Sequence, residues 1–144
     1  MKRQQCSVLV IDDDDAIREY VRFMLEKNGY DVCEATNGND GVVVARKNPP
    51  DLIITDLVMP DKEGIETIRE IKELYPSCRI IAMSGSVNSD AYLAMARHLG
   101  AHSVLRKPFE REQLEEAVLQ ALAVTDAGNI DAAPTTDTRQ QKEW

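Results

Sequence analysis

The sequence is short of what several broad protein classes require. Its 144 residues include three cysteines (Cys6, Cys33 and Cys78), odd in number and without a CxxC pair. A disulfide framework and a thiolate metal site are therefore excluded as organising features. The three are expected to be reduced, half-buried small hydrophobes. Basic charge is scarce: 17 Lys and Arg against 25 Asp and Glu leave a formal charge of −8. A nucleic-acid backbone or an anionic membrane would repel such a chain, so neither direct nucleic-acid binding nor membrane insertion is expected. Long apolar runs are missing too. Val42-Val43-Val44-Ala45 is typical of the longest, far below the roughly 20 residues of a spanning helix. Gln4, Gln5 and Asp12 break any signal-like segment after Lys2 and Arg3, and the expected compartment is the cytoplasm. Glycine and proline, 7 and 6 residues, are too few for low complexity. His98 and His102 lack ligand partners at metal-binding spacing and are expected at the surface.

What the chain does have is an alternation of two periodicities. Short β-branched runs recur at Ser7 to Ile11, Tyr30 to Glu34, Leu52 to Thr55, Arg79 to Met83 and Ser103 to Leu105. Between them lie segments of helical spacing. The first carries Ala16, Ile17, Tyr20, Val21, Met24 and Leu25 and stops at Asn28-Gly29. The second opens at Asn37-Gly38, runs through Val43, Val44 and Lys47, and ends at Pro49-Pro50. The third follows Gly64 with Ile65, Ile68, Ile71 and Leu74 on one side; the fourth spans Asp90 to Leu99 before Gly100. The fifth spans Glu110 to Val124, with Leu114, Ala117, Val118, Ala121 and Leu122 inward. Five strands alternating with five helices predict an α/β domain, a doubly wound parallel sheet with helices on both faces. The domain is placed at residues 5–124. Residues 125–144, polar and without period, are expected to form a flexible tail.

Chemistry gathers where the strands end. Asp12 and Asp13 follow the first strand, Asp56 the third, Ser84 the fourth, and Lys107 lies just past the fifth. In an open α/β sheet the ligand crevice lies outside the carboxyl ends of the strands, so these five groups should share one rim. A single aspartate there would serve as a helix cap. Four in succession, Asp12 to Asp15, exceed what one helix start can use. Clustered carboxylates repel unless a cation neutralises them, and an all-oxygen ligand set suits a hard ion such as Mg2+. A divalent ion, a lysine, a hydroxyl and a carboxylate together suit phosphoryl transfer onto that carboxylate.

Four segments, in this order, carry a resemblance: Val8-Leu9-Val10-Ile11-Asp12-Asp13-Asp14; Asp51-Leu52-Ile53-Ile54-Thr55-Asp56-Leu57-Val58-Met59-Pro60-Asp61; Ile80-Ile81-Ala82-Met83-Ser84-Gly85; and Arg106-Lys107-Pro108-Phe109. Over residues 5–124 the chain resembles the response-regulator receiver domain, the flavodoxin-like (βα)5 module of two-component signalling. The resemblance implies that Asp56 accepts a phosphoryl group from a sensor histidine kinase. It implies that Asp12, Asp13 and Asp56 hold Mg2+, that Ser84 and Lys107 bond the phosphate, and that the Lys107–Pro108 peptide is cis. Asp14 and Asp15 have no role in the family pattern and fall to the helix start, where the dipole favours them. Two positions depart from the pattern. Val104 stands three residues before the lysine, where relatives often carry an aromatic switch. Val58 stands two past the acceptor, where some relatives carry a polar residue that assists the dephosphorylating water.

The function expected is that of a stand-alone receiver. It would catalyse only its own aspartyl phosphorylation and dephosphorylation, and signal to a protein target through the face of helix four, strand five and helix five. The alternatives are an intermediate phosphorelay carrier that hands its phosphoryl group to a histidine phosphotransfer protein, a metal-dependent phosphatase, and an unphosphorylated binding module.

Overall fold

The structure, a computed structural model, describes residues 6–58, 64–85 and 89–123. Met59, Pro60 and Asp61 of the second motif segment, Val124 and the expected tail lie outside the described residues. Ten elements alternate in order: β1 (Ser7–Ile11), α1 (Asp15–Lys27), β2 (Asp31–Ala35), α2 (Gly38–Lys47), β3 (Leu52–Asp56), α3 (Gly64–Leu74), β4 (Arg79–Ser84), α4 (Ser89–His98), β5 (Ser103–Arg106) and α5 (Arg111–Ala123). All strand pairs are parallel and the order is β2-β1-β3-β4-β5. This is the doubly wound parallel sheet expected from the alternation, and the flavodoxin-like module that the resemblance implied.

Strand side chains alternate between two cores. Leu9, Ile11, Ile53, Ile80 and Ala82 face α2, α3 and α4. Val8, Val10, Leu52, Ile54, Ile81, Met83 and Leu105 face α1 and α5. Burial on both sides explains why β3 is apolar without interruption until Thr55 and Asp56. The chain winds outward from β1 to β2, then returns past β1 to β3. That reversal opens a crevice beyond the ends of β1 and β3.

Local chemistry sets the helix limits. Asp14 caps α1 by accepting from the Ala16 and Ile17 amides. Gly29, at φ +93°, and Gly100, at φ +116°, take the left-handed turns after α1 and α4. In α2 the inward residues are Gly41, Val42 and Ala45, whereas Val43 is 50% exposed. The reason is a close approach to the sheet: a Cβ at Gly41 would lie 2.4 Å from Ile11 Cδ1. Leu74, expected inward, is exposed at the end of α3, while Tyr75 packs against the core beside it.

His102 also departs from expectation. It is half-buried, not a surface residue. Its Nδ1 accepts the Ile80 N–H at 3.0 Å, while its backbone N–H donates to the Ile80 carbonyl at 2.7 Å. It thus continues the β4–β5 pairing ahead of β5. Burial, helped by the Lys72 and Arg79 charges, pushes its imidazole down to about 4.

Candidate functional site

Asp12 is the first residue after β1 and is completely buried. Each of its polar groups is held. Oδ1 accepts the Asp14 N–H at 2.9 Å, and Oδ2 accepts the Lys107 ammonium at 2.7 Å. The carbonyl takes Arg18 Nη1 at 2.9 Å, and the backbone N–H donates to Ala35 at 3.2 Å. Asp56, the last residue of β3 and 7% exposed, sits across the crevice with Oδ1 3.4 Å from Lys107 Nζ. Asp13 is exposed beside them. One carboxylate oxygen from each of Asp12, Asp13 and Asp56 lies within 4.8 Å of the others. Ser84 ends β4 and is buried. The Lys107–Pro108 peptide is cis. An open cleft of about 480 Å³ is lined by Asp14, Ile17, Asp56, Val58, Ser84, Gly85, Lys107 and Pro108.

All five residues expected at the rim are therefore there, around one crevice. Asp14 and Asp15 serve the helix start, Asp14 as its cap and Asp15 in an ion pair with Arg18.

The electrostatics describe a site short of positive charge. Burial raises the Asp56 carboxyl to about 6, against the opposing pull of Lys107 and with the help of the Asp12 charge. Burial likewise raises Asp12, although Lys107 and the Asp14 amide both favour its carboxylate. For Lys107, burial works against the ammonium, but the Asp12 hydrogen bond and the Asp56 charge outweigh it and hold the lysine above its ordinary value. Three carboxylates facing one ammonium leave two negative charges in excess, and the donors are all hard oxygens. A divalent ion of the magnesium class fits that count and that chemistry.

Two features of the site were not visible in the sequence. Arg18 anchors the β1–α1 corner: besides the Asp12 carbonyl it meets Glu34 of β2 at 3.0 Å and Asp15 at 2.6 Å. Arg22 grips the other oxygen of Glu34 at 2.6 Å. Only the Asp15–Arg18 and Arg22–Glu26 pairs had helical spacing to announce them. The second feature is Ser89, whose Oγ lies 3.2 Å from Ser84 Oγ.

A family model for the response regulator receiver domain matches residues 8–119. Among solved structures, the chemotaxis response regulator CheY4 of Vibrio cholerae is 28% identical, with a TM-score of 0.75 over 82% of this chain and 99% of that one. A response regulator receiver domain protein from Clostridium thermocellum is 33% identical, at 0.75 over 81% and 94%. NtrX from Brucella abortus is 25% identical, at 0.77 over 83% of this chain but 27% of its own. The same architecture thus fills one solved chain and forms about a quarter of another.

Proposed function

Since the chain belongs to the response regulator receiver family, we propose that it accepts a phosphoryl group on Asp56 from a sensor histidine kinase or a histidine phosphotransfer protein, with Mg2+. The observation that carries this reading is the buried Asp56 carboxylate, set between Lys107 and the Asp12–Asp13 pair at the open end of the sheet. One Asp56 oxygen attacks phosphorus, the bond from phosphorus to the donor imidazole nitrogen breaks, and that nitrogen keeps the electron pair. Mg2+, held by Asp12, Asp13 and Asp56, would supply charge neutralisation for the transferring group. Asp56 must be ionised to attack, and with its carboxyl at about 6 that state prevails at neutral pH. Lys107 keeps its proton and offers an ammonium to the phosphoryl oxygens; Ser84 offers a hydroxyl.

The reaction is confined to the protein's own carboxylate, so it is not an enzyme acting on a separate substrate. Output passes to a protein target through α4, β5 and α5, in the cytoplasm and without nucleic-acid contact or membrane insertion. No described helix is long and apolar enough to cross a membrane. The exposed Val58 in the cleft wall has no group to orient a hydrolytic water. That favours a long-lived acyl phosphate, and with it the second reading, a phosphorelay carrier. It counts against a phosphatase, which needs fast release.

Incubation with acetyl phosphate and magnesium, followed by intact mass, tests the reading. A single stable phosphoryl adduct is expected, absent from Asp56→Asn. An undiminished adduct in that variant, or steady release of inorganic phosphate without an adduct, would overturn it.

A further inference from the structure

Resting on that reading, we propose that Arg18 of α1 is a positioning residue for the cation site: its guanidinium fixes the Asp12–Asp13 peptide, whose two residues supply two of the three ligand carboxylates. The Arg18 side chain is 12% exposed, and each of its three nitrogens meets a different acceptor. Nη1 donates to the Asp12 carbonyl at 2.9 Å, Nε to Glu34 Oε1 at 3.0 Å and Nη2 to Asp15 Oδ1 at 2.6 Å. Glu34 belongs to β2, and the next residue of that strand, Ala35, accepts the Asp12 N–H at 3.2 Å. Both backbone groups of Asp12 are therefore referenced to the same edge strand, one directly and one through Arg18.

The consequence falls on Asp13. Among the described residues no hydrogen bond or ion pair holds its exposed carboxylate. Its place in the cluster, within 4.8 Å of Asp12 and Asp56 oxygens, is therefore set by the backbone. A peptide unit is planar, so the direction of the Asp12 carbonyl fixes the Asp13 N–H and with it the Asp13 Cα. Asp12 is wholly buried; without Arg18 its carbonyl would lose its donor and the peptide would turn toward another. The guanidinium is a rigid fork that spans all three acceptors, whereas an ammonium is a point charge drawn to the two carboxylates. Charge and positioning predict opposite signs. A cation beside the site repels a second cation, so on charge alone its removal should tighten magnesium binding.

The test is magnesium affinity, measured by calorimetry on the whole chain with no phosphoryl donor present. Arg18→Met should bind magnesium about tenfold more weakly than the parent, the weight of an outer contact that orients a ligand. Arg18→Lys keeps the charge without the fork and should lose about threefold or more. Arg22→Met is the control: it removes the same charge and releases the same Glu34, which Arg22 Nη1 meets at 2.6 Å, but it takes no donor from Asp12. It should stay within about twofold of the parent. In metal-free protein the Asp13 amide nitrogen shift should move in both Arg18 variants and stay in place in Arg22→Met. Parental or tighter binding by Arg18→Met overturns the proposal; should that variant not fold, parental binding by Arg18→Lys does the same. An equal loss in Arg22→Met also overturns it, since Arg18 would then act only through the stability of α1. Failure of the underlying reading looks different: the parent would not bind magnesium, or Asp56→Asn would bind it equally well, and both claims would fall together.

Discussion

Replacing Asp56 with asparagine removes a charge that the fold opposes, and the size of that opposition can be measured. Burial raises the Asp56 carboxyl from 3.8 to about 6. Between those values the folded protein holds the proton more tightly than the unfolded chain does. Stability attributable to Asp56 is therefore present at low pH, is lost as pH rises through that window, and is constant above it. At about 1.4 kcal/mol for each pH unit of that window, the loss amounts to about 3 kcal/mol, an upper limit for a group with some solvent access. The asparagine that replaces it does not titrate, and Asp12 loses a like-charged neighbour in the variant, which acts in the same direction. In EDTA, Asp56→Asn should gain up to about 2 kcal/mol relative to the parent between about pH 4.5 and about pH 7.5. With a urea slope of about 1–3 kcal/mol per molar, the difference in midpoints should change by about 1–2 M. Saturating magnesium should narrow the gap at neutral pH, because it stabilises the parent more than a variant lacking one ligand charge. A difference in midpoints that stays flat across the series, or one that grows with acid, would refute the assignment of Asp56 as a carboxylate under desolvation.

Three further outcomes follow from particular contacts. Asp13→Asn should weaken magnesium binding by about tenfold or more, since it removes a charged ligand. Asp14→Asn should change it by less than about twofold, because an asparagine oxygen can still cap the Ala16 and Ile17 amides; equal losses in calorimetry would defeat the proposed ligand set. The His102 imidazole, pushed down to about 4, should stay neutral to about pH 5 in NMR titration, and its contribution to stability should be lost as pH falls from 6.5 towards 4; a midpoint near the ordinary histidine value would refute its burial against Ile80. A Cβ at Gly64 would lie 2.1 Å from the Asp56 carbonyl oxygen, so Gly64→Ala should cost more than about 2 kcal/mol and weaken magnesium binding. Gly29→Ala, with nothing within 4 Å and only a φ of +93° to strain, should cost about 1 kcal/mol and leave the site intact; urea unfolding that ranks the two equally would contradict the close packing at the end of β3.

The rim of the sheet was legible because its cause is topological. Parallel strands point their carboxyl ends one way, so Asp12, Asp56, Ser84 and Lys107 had to meet once the alternation was read. Element boundaries moved by a residue or two, as at Asp56 and Ser84, which end their strands and do not follow them. The inward face of α2 was not legible, for a reason of packing. Three consecutive valines have the same hydropathy, and only the approach of Gly41 to Ile11 decides which one turns outward. His102 was misread because its partner, the Ile80 backbone, carries no side-chain signature. Arg18 and Ser89 were missed on similar grounds. Glu34 lies 16 residues from Arg18, and two serines five apart across a strand–helix junction have no period that would pair them.

The helices differ in how firmly the sheet holds them, and that difference bears on where a signal from Asp56 can go. α3 buries Ile65, Ile68 and Ile71, while α4 buries only Leu93 and Ala96 besides Ser89. At about 2 kcal/mol for each large aliphatic side chain, the apolar hold on α3 is about 6 kcal/mol and that on α4 about 2–3. The exposed Asp90–Arg106 pair adds at most about 1 kcal/mol. A phosphoryl group bonded by Ser84 and Lys107 makes two charge-assisted hydrogen bonds, worth about 1.5–3 kcal/mol each. Together that is about 3–6 kcal/mol, at or above the hold on α4 and no more than the hold on α3. Val104 lies half-buried against the core beneath α4, and a valine cannot swing a ring between solvent and that core as an aromatic residue can. The less firmly held helix, α4, is therefore the one on which a phosphoryl group at Asp56 is expected to act; equal beryllofluoride-induced amide shifts in α3 and α4 would refute this.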